Sequence, residues 1–502
     1  MSNNDAYKEL QERMRDIHNL RAAAAVLEWD MEVNMPPKGA AARGRQLATL
    51  SALAHAQFIA PSVGTLIERA REHQDTLTDD ARVLLRETAY DYQRAARIPE
   101  AFMRRFATAR TAAYHAWIDA RRQSNFSLFL PHLETLVSLS QEKAERLGYE
   151  GSPYNALLED YERGMTVAQL DTIFGALAPR QRALAARIMN APQQPELSWL
   201  EQTWSEEKQI ALTERVLRDM GYAFDAGRQD KSAHPFTTNF SIGDVRITTR
   251  VDQRAFFSAL FSSIHEGGHA LYEQGFREKD EGTLLAEAPS LGMHESQSRL
   301  WENIIGRSLP FWRHYMSAAR ELFPGMLDSI APEQAYAAAN RVTPSLIRVE
   351  ADECTYNLHI ILRFELETAL IEGALDAADI PAAWNEKMAS WLGVEVPNDA
   401  DGCLQDIHWS HGAFGYFPTY ALGNLYGAQL FDAMSADIPD VMERVGRGEF
   451  ADVLRWLRDN VHSVGRRKTA LEIIEDVTGR QPSAAPFLTY LETKYAALYD
   501  LA

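Results

Sequence analysis

Residues 255–275 read AFFSALFSSIHEGGHALYEQG, and this stretch decides how the chain folds around its chemistry. Its apolar residues recur with the spacing of a buried helix, and the pattern stops at Gly275. His265 and His269 are four residues apart, so a helix presents them on one face, where two imidazoles can hold one metal ion. Glu266 follows the first histidine, and its carboxylate can take a proton from a water molecule at that metal. The segment therefore predicts a metal-dependent hydrolytic site on a buried helix.

The segment before this helix carries a different pattern. Residues 234–252 read HPFTTNFSIGDVRITTRVD, which is rich in Thr, Val, Ile and Phe and has Gly243 and Asp244 near its middle. Such residues on both sides of a Gly-Asp pair predict a β-hairpin. We therefore expect a small antiparallel β-sheet that leads directly into the metal-binding helix.

Helical spacing of apolar residues dominates the rest of the chain. Proline and glycine separate several helical runs, and no linker composition marks a domain border. The pattern predicts a mainly α protein that forms a single catalytic domain over residues 1–502. The predicted helical runs cover residues 5–30, 39–58, 79–95, 99–122, 127–147, 167–191, 203–220, 294–322, 332–341, 345–375, 380–392, 418–436, 449–460, 467–477 and 485–500.

Composition argues against several classes of function. The 502 residues include 51 Lys and Arg against 70 Asp and Glu, a formal net charge of −19. We expect neither nucleic acid nor a membrane surface as a partner, because both attract basic patches. The polar start MSNNDAYKELQERMRD does not resemble a signal peptide, and no uncharged apolar stretch approaches the roughly 18 residues of a membrane span. With only two cysteines, Cys354 and Cys403, the sequence predicts a soluble cytoplasmic protein.

A third metal ligand must come from downstream of the histidine pair. Glu287, His294 and Glu295 are the candidates, and Pro289 with Gly292 marks a loop that lets the chain reverse. A second amphipathic helix is predicted to begin near His294, which would let Glu295 point back at the metal. Two histidines and one glutamate leave a coordination position open for water, as catalysis requires. Spacing alone leaves Glu287 open as the alternative.

The HEGGH helix followed by HESQS at 294–298 resembles the Carboxypeptidase Taq family of metallocarboxypeptidases. Other segments resemble further signatures of that family, in the family's order and over nearly the whole chain. They read WDMEVNMPPKGA at 29–40, HPF at 234–236, DVRIT at 244–248, IRVEAD at 347–352, GCLQDIHW at 402–409 and VHSVGRRKTALEIIEDVTG at 461–479.

The resemblance implies a large, single-body helical fold in which two lobes flank a deep central groove. It implies that Glu295 is the third ligand, beside His265 and His269. It also implies a homodimer that removes single residues from peptide C-termini with broad specificity. Zinc is the expected metal, although two histidines and one glutamate also accept Co²⁺ or Mn²⁺.

A carboxypeptidase must recognise a free carboxylate, and arginine suits that task because its planar fork donates two parallel hydrogen bonds. The resemblance favours Arg348 as this clamp, with Asp352 four residues on, where one helical turn would let it orient the guanidinium. Arg246 is the second candidate for the clamp, although Asp244 and Arg246 could instead be two residues on one face of a strand.

The tetrahedral stage of peptide hydrolysis also needs hydrogen-bond donors aimed at the developing oxyanion. His234, His408, Tyr416 and Tyr420 are the candidates, with His408 and Tyr420 preferred as catalytic residues and His234 as a substrate contact. We expect Glu266 to take a proton from the metal's water and to deliver it to the leaving amine.

Two rival functions share these residues. A helical zinc oligopeptidase would use the same metal site to cut inside short peptides, and only its indifference to a blocked C-terminal carboxylate would distinguish it. A non-catalytic binding protein with a structural metal is the other rival. Glu266 argues against it, because a structural site does not need a free carboxylate beside the water position.

Overall fold

A computed structural model describes residues 5–501 of the chain. These residues are mostly helical, which confirms the mainly α fold class. The helices are α1 (Asp5–Val33), α2 (Ala40–Phe58), α3 (Pro61–Arg71), α4 (Asp79–Ala96), α5 (Glu100–Gln123), α6 (Leu130–Leu147), α7 (Tyr154–Leu158), α8 (Val167–Met189), α9 (Glu206–Met220), α10 (Phe256–Glu273), α11 (Leu291–Arg299), α12 (Leu309–Leu322), α13 (Pro332–Ala339), α14 (Tyr356–Ile371), α15 (Ile380–Leu392), α16 (Pro418–Asp437), α17 (Val441–Gly446), α18 (Ala451–Asn460), α19 (Ala470–Thr478) and α20 (Ala485–Tyr499).

The small sheet has three strands and is mixed rather than antiparallel throughout. Strands β2 (Thr237–Ser241) and β3 (Asp244–Thr249) form the expected antiparallel hairpin, with a register irregularity between Asn239 and Ser241. Strand β1 (Gln229–Lys231) pairs with the other side of β3 in parallel, so β3 is central. The sequence of β1, QDK, has no strand pattern, and its backbone pairing alone makes it a strand.

Helix α10 lies at the centre of the fold, where it packs against α9, α11 and β3. Helix α11 lies between α10 and α16, and glycines permit both close approaches. A methyl group at Gly268 of α10 would lie 2.7 Å from Ser298 Cα, and one at Gly423 of α16 would lie 2.4 Å from Glu295 Cγ. Both distances are shorter than van der Waals contact, so only glycine fits at either position.

The start of α11 is held in place by a buried carboxylate. Ser290 caps the helix by accepting a hydrogen bond from the Met293 amide at 3.0 Å. Glu162 accepts from Ser290 Oγ and from the Gly292 amide, each at 3.0 Å, and from Tyr426 Oη of α16 at 2.9 Å. These bonds fix α11 relative to α16.

Two differences from the predicted helical runs have local causes. Within the run predicted at 345–375, the α-helix begins only at Tyr356. Asp352 accepts hydrogen bonds from the amides of Cys354 and Thr355, and these bonds turn the chain before the helix. Helix α3 was absent from the predicted runs because Gly64 weakens its helical signal, although Pro61 occupies its first turn.

Both cysteines are buried and free. Within residues 5–501 no single helix has the length and apolar content of a membrane span. One pair of helices, Pro37–Phe58 with Pro61–Arg71, meets that test of length and composition when taken together across a 41° bend.

The close approach of α11 to α16 predicts that a methyl group at Gly423 destabilises the fold, whereas one at a glycine with open space around it does not. Gly423→Ala should destabilise the fold by about 1–3 kcal/mol, because the added methyl overlaps Glu295. Gly175→Ala, in the exposed part of α8 with open space around it, should be neutral or stabilise by up to about 1 kcal/mol. The midpoints of urea unfolding of the two variants and the parent protein measure this. An unchanged midpoint for Gly423→Ala would contradict the packing argument.

Candidate metal centre

Helices α10 and α11 bring together the three residues preferred as metal ligands. His265 Nε2 lies 3.7 Å from Glu295 Oε2, and His269 Nε2 lies 3.4 Å from the same oxygen. One ligand atom from each residue lies within 4.8 Å of the other two. Two imidazole nitrogens and one carboxylate oxygen at this spacing are the donor set of a catalytic zinc site. The residues present therefore fit a divalent metal ion.

The two other candidates for the third ligand occupy different places. Glu287 lies in the loop before α11, where its Oε2 is 3.3 Å from Arg466 Nη1. His294 lies beside His269, but its Nδ1 faces His269 Nδ1 at 2.5 Å, on the ring edge away from Glu295. Glu295 is thus the candidate that the fold brings to the histidine pair.

A carboxylate orients His265 from the side opposite Glu295. Glu302 Oε2 lies 2.9 Å from His265 Nδ1, and Glu302 belongs to a wide π-helical turn, Leu300–Gly306, that continues α11. A hydrogen bond from Nδ1–H to a carboxylate leaves the Nε2 lone pair for a metal. Arg299 donates to Glu295 Oε1 at 2.6 Å and lies 3.4 Å from Glu302 Oε2, so one guanidinium bridges both carboxylates.

The second histidine has a different partner. His269 Nδ1 meets His294 Nδ1, and His294 Nε2 lies 2.8 Å from Glu273 Oε1 at the end of α10. Asn239 of β2 donates to the other oxygen of Glu273 at 2.6 Å. The hairpin therefore braces this end of α10.

Burial and neighbouring charges set the proton states of the ligands. Burial, with His294 nearby, lowers the pKa of His269 to about 3, so its imidazole is neutral and keeps a lone pair. Burial alone would raise the pKa of Glu295, but Arg299 and His265 hold that pKa well below its ordinary value. A neutral imidazole and an ionised carboxylate are the forms that bind a metal.

Glu266 follows His265 on α10, and a hydroxyl of the β-hairpin holds its carboxylate. Thr237 Oγ1 of β2 donates to Glu266 Oε2 at 2.7 Å, which fixes the carboxylate at the site. Burial raises the pKa of Glu266 above its ordinary value, and His265 and the Thr237 hydroxyl oppose that rise. A raised pKa makes a carboxylate a better proton acceptor at neutral pH.

Arg348 does not pair with Asp352, contrary to the expectation from their spacing. Arg348 lies on a single 3₁₀ turn, Arg348–Glu350, and the chain is extended at Ala351, so the two side chains do not share a helix face. Its Nε and Nη2 lie 3.0 and 2.9 Å from Asp406 Oδ1. Asp352 instead accepts hydrogen bonds from backbone amides, including that of Thr343 at 3.0 Å.

A basic cluster surrounds Asp406. Its second oxygen accepts from Arg363 Nε at 2.6 Å, so one carboxylate lies between the guanidiniums of Arg348 and Arg363. Tyr356 connects this cluster to the metal ligands, because its hydroxyl accepts from Arg348 Nη1 at 3.1 Å and Arg299 stacks on its ring at 4.5 Å. The cluster therefore carries one more positive than negative charge next to the metal ligands.

Three of the four candidate oxyanion donors, His408, Tyr416 and Tyr420, lie together beside Arg348. His408 Nε2 lies 3.3 Å from Tyr420 Oη, and the Tyr416 ring lies 5.3 Å from that of Tyr420. Burial raises the pKa of Tyr420 well above its ordinary value, so its hydroxyl keeps its hydrogen. Burial lowers the pKa of His408 to about 3, and Arg348 contributes to the same effect.

The remaining candidates lie at the sheet. His234 is exposed in the segment that leads into β2. Arg246 on β3 donates to both oxygens of Asp244 at 2.8 Å and stacks on Trp29 of α1 at 4.3 Å. This is the arrangement of two residues on one strand face.

Sequence reasoning missed several residues of this region. Glu273 is four residues after His269, and Glu302 is seven after Glu295, so helical spacing could have suggested both. Asp406 and Tyr356 meet Arg348 only through the tertiary fold. Arg299, one turn after Glu295, could have been read as an i, i+4 partner.

Comparisons with known proteins place the chain in a family over nearly its whole length. Residues 9–495 match the family described as Carboxypeptidase Taq (M32) metallopeptidase. The chain is 44% identical to Thermostable carboxypeptidase 1 of Thermus thermophilus and 38% identical to Carboxypeptidase 1 of Bacillus subtilis, in both cases over 98% of this chain and 99% of the relative. Its fold matches the crystal structure of an M32 carboxypeptidase from Deinococcus radiodurans with a TM-score of 0.97 and 39% identity, over 99% of this chain and 100% of the other.

These similarities extend from the first helix to the last and include the segment that carries the histidine pair and Glu295. The chain therefore belongs to the Carboxypeptidase Taq (M32) metallopeptidase family, and it is a metallocarboxypeptidase.

Proposed function

We propose that this enzyme removes single residues from the C-termini of peptides with broad specificity, using a zinc ion held by His265, His269 and Glu295. The observation that carries the proposal is the meeting of the three ligand atoms within 4.8 Å, with Glu266 beside them. Co²⁺ or Mn²⁺ would also fit the donor set. Such an ion, when bound, supplies Lewis acidity that acidifies a water molecule and polarises the scissile carbonyl.

Glu266 acts as the general base and then as the general acid. Its carboxylate takes a proton from the attacking water and returns it to the leaving amine. Thr237 keeps one oxygen of Glu266 at 2.7 Å, which leaves the other for the proton transfer. Tyr420 and His408 are the proposed oxyanion donors, and Tyr416 is the alternative, because a hydroxyl that keeps its hydrogen can donate to developing negative charge.

Arg348 is the proposed clamp for the substrate's terminal carboxylate. The cluster of Arg348, Arg363 and Asp406 has two guanidiniums for one carboxylate, so a second carboxylate from a substrate would complete its charge balance. Asp352 supports this role indirectly, because its bonds to backbone amides shape the segment that carries Arg348. His234 and Arg246 are proposed as further contacts to the substrate, with Arg246 as the alternative clamp.

We further propose that the whole chain is one catalytic domain with two lobes that flank a groove, that the enzyme forms a homodimer and that it works in the cytoplasm on peptides with a free C-terminus. The family membership supports the peptide substrate. Light scattering of the purified protein tests the dimer, which should have twice the 56.5 kDa mass of the chain.

The general base should be separable from the metal ligands. Glu266→Gln should keep bound metal and a native fold but lower kcat by on the order of 10²–10⁴-fold, because the amide cannot accept the proton. His269→Ala should lose metal affinity as well as activity. Metal content by mass spectrometry, together with kcat on a short peptide, distinguishes the two variants. Near-normal kcat in Glu266→Gln would contradict the mechanism.

The third ligand can be tested against its nearest rival. Glu295→Ala should lower metal occupancy, since a carboxylate is lost from the ligand set. Glu287→Ala is the matched control and should leave occupancy near normal, because Glu287 pairs with Arg466 in the loop. The reverse pattern of occupancies would mean that Glu287 holds the metal.

Exopeptidase specificity can be tested by blocking the terminal carboxylate. Loss of a buried charge-assisted pair costs on the order of 2–5 kcal/mol, or roughly one and a half to nearly four orders of magnitude in kcat/KM. Arg348→Ala should therefore be severely impaired on free peptides and should discriminate little between peptide acids and amides. Arg348→Lys should recover only part of the activity, because an ammonium lacks the planar fork.

The measured quantity is the ratio of kcat/KM for acid and amide substrates. Arg246→Ala is the control for a general loss of positive charge. If the native enzyme and Arg348→Ala share the same large ratio, Arg348 is not the clamp, and a collapse of the ratio in Arg246→Ala would assign the clamp to Arg246. A ratio near one in the native enzyme would favour the oligopeptidase alternative.

A further inference from the structure

We infer that His294 is a positioning residue for His269. Glu273 fixes which nitrogen of His294 carries the hydrogen, and His294 in turn fixes the hydrogen of His269 on Nδ1, which keeps His269 Nε2 available for the metal. The inference rests on the proposed metal site and adds to it two residues that do not touch the metal. It also gives the two proposed histidine ligands different supports. His265 is oriented directly by the Glu302 carboxylate, whereas His269 is oriented through His294.

The geometry is a continuous chain of short contacts. Asn239 Nδ2 donates to Glu273 Oε2 at 2.6 Å, and Glu273 Oε1 lies 2.8 Å from His294 Nε2. His294 Nδ1 lies 2.5 Å from His269 Nδ1, and His269 Nε2 lies 3.4 Å from Glu295 Oε2. The rings of His269 and His294 lie 4.5 Å apart, and Glu273 is buried.

The direction of the hydrogen bonds follows from the chemistry of each group. A carboxylate only accepts, so His294 Nε2 must carry the hydrogen that faces Glu273. In its neutral form His294 has one N–H, on Nε2, so its Nδ1 accepts the hydrogen bond that His269 Nδ1 donates. His269 is left with its lone pair on Nε2, the nitrogen that faces Glu295.

The fold supports this order from two elements. Glu273 lies four residues after His269, so α10 places both on one face. His294 comes from the first turns of α11, immediately before the ligand Glu295. One short helix therefore supplies both a proposed metal ligand and the residue that orients another.

The experiment measures the metal dissociation constant of chelator-stripped protein, by competition with a chromophoric chelator for Zn²⁺. His294→Phe keeps an aromatic ring at this position but removes both nitrogens, and it should weaken Zn²⁺ binding on the order of 10–100-fold. Glu273→Gln should also weaken binding, because an amide can donate to His294 Nε2 and thereby permit the reversed order. In the His294→Phe background, Glu273→Gln should weaken Zn²⁺ binding by less than about twofold more, because the series of hydrogen bonds is already broken at His294.

Three controls make the outcomes distinct. His269→Ala should abolish tight binding; if it does not, the proposed metal site itself is wrong and the inference falls with it. His115→Phe, at an exposed histidine on α5, should bind Zn²⁺ as the native protein does. Native-like thermal unfolding of each metal-free variant verifies its fold, and Glu273→Gln alone serves as the test if His294→Phe does not fold.

Two results would overturn the inference while leaving the metal site intact. One is native Zn²⁺ affinity in His294→Phe, or in Glu273→Gln, when His269→Ala has lost binding. The other is an equal loss of Zn²⁺ affinity when Glu273→Gln is made in the native and in the His294→Phe background, since Glu273 would then act independently of His294.

Discussion

The structure depends on how closely α11 approaches α10 on one side and α16 on the other. Gly268 and Gly423 are the contact points, and a methyl group at either would lie within 3 Å of α11 atoms. Glu295 reaches the histidine pair only because of this approach, since it comes from a different helix. The Glu162 carboxylate adds a second restraint by tying the start of α11 to Tyr426 of α16. Backbone packing thus defines how the three candidate metal ligands meet.

The buried charges around the site are paired with one another. Removing an ion from water costs several kcal/mol, and a buried ion is tolerated only when paired and hydrogen-bonded. Arg299 serves Glu295 and Glu302 together, whereas Asp406 is shared between Arg348 and Arg363. The first group fixes the carboxylate of Glu295 directly and the ring of His265 through Glu302. The second holds an excess of positive charge, which suits a substrate carboxylate.

Local rules predicted those parts of the molecule whose geometry is local. The i, i+4 spacing of His265 and His269, the buried helix that carries them and the hairpin before it follow from sequence periodicity and turn chemistry. The choice of Glu295 as the expected third ligand required the family resemblance, because spacing alone could not separate Glu295 from Glu287. Strand β1 was missed because three polar residues give no periodic signal.

The expected pairing of Arg348 with Asp352 was wrong for a related reason. It assumed a continuous helix, but Asp352 bonds to backbone amides and turns the chain, and the true partner, Asp406, is distant in sequence. Partners of that kind follow from the packed fold and leave no spacing in the sequence. The same holds for Tyr356, which links the basic cluster to the metal ligands.

The most direct test of this account is the position of the bound metal, measured by anomalous diffraction at the zinc edge from crystals of the loaded protein. The account predicts one strong peak about 2.0–2.2 Å from His265 Nε2, His269 Nε2 and a Glu295 oxygen. A peak coordinated instead by His294 and Glu273, or by Glu287, would contradict the ligand assignment and the mechanism built on it.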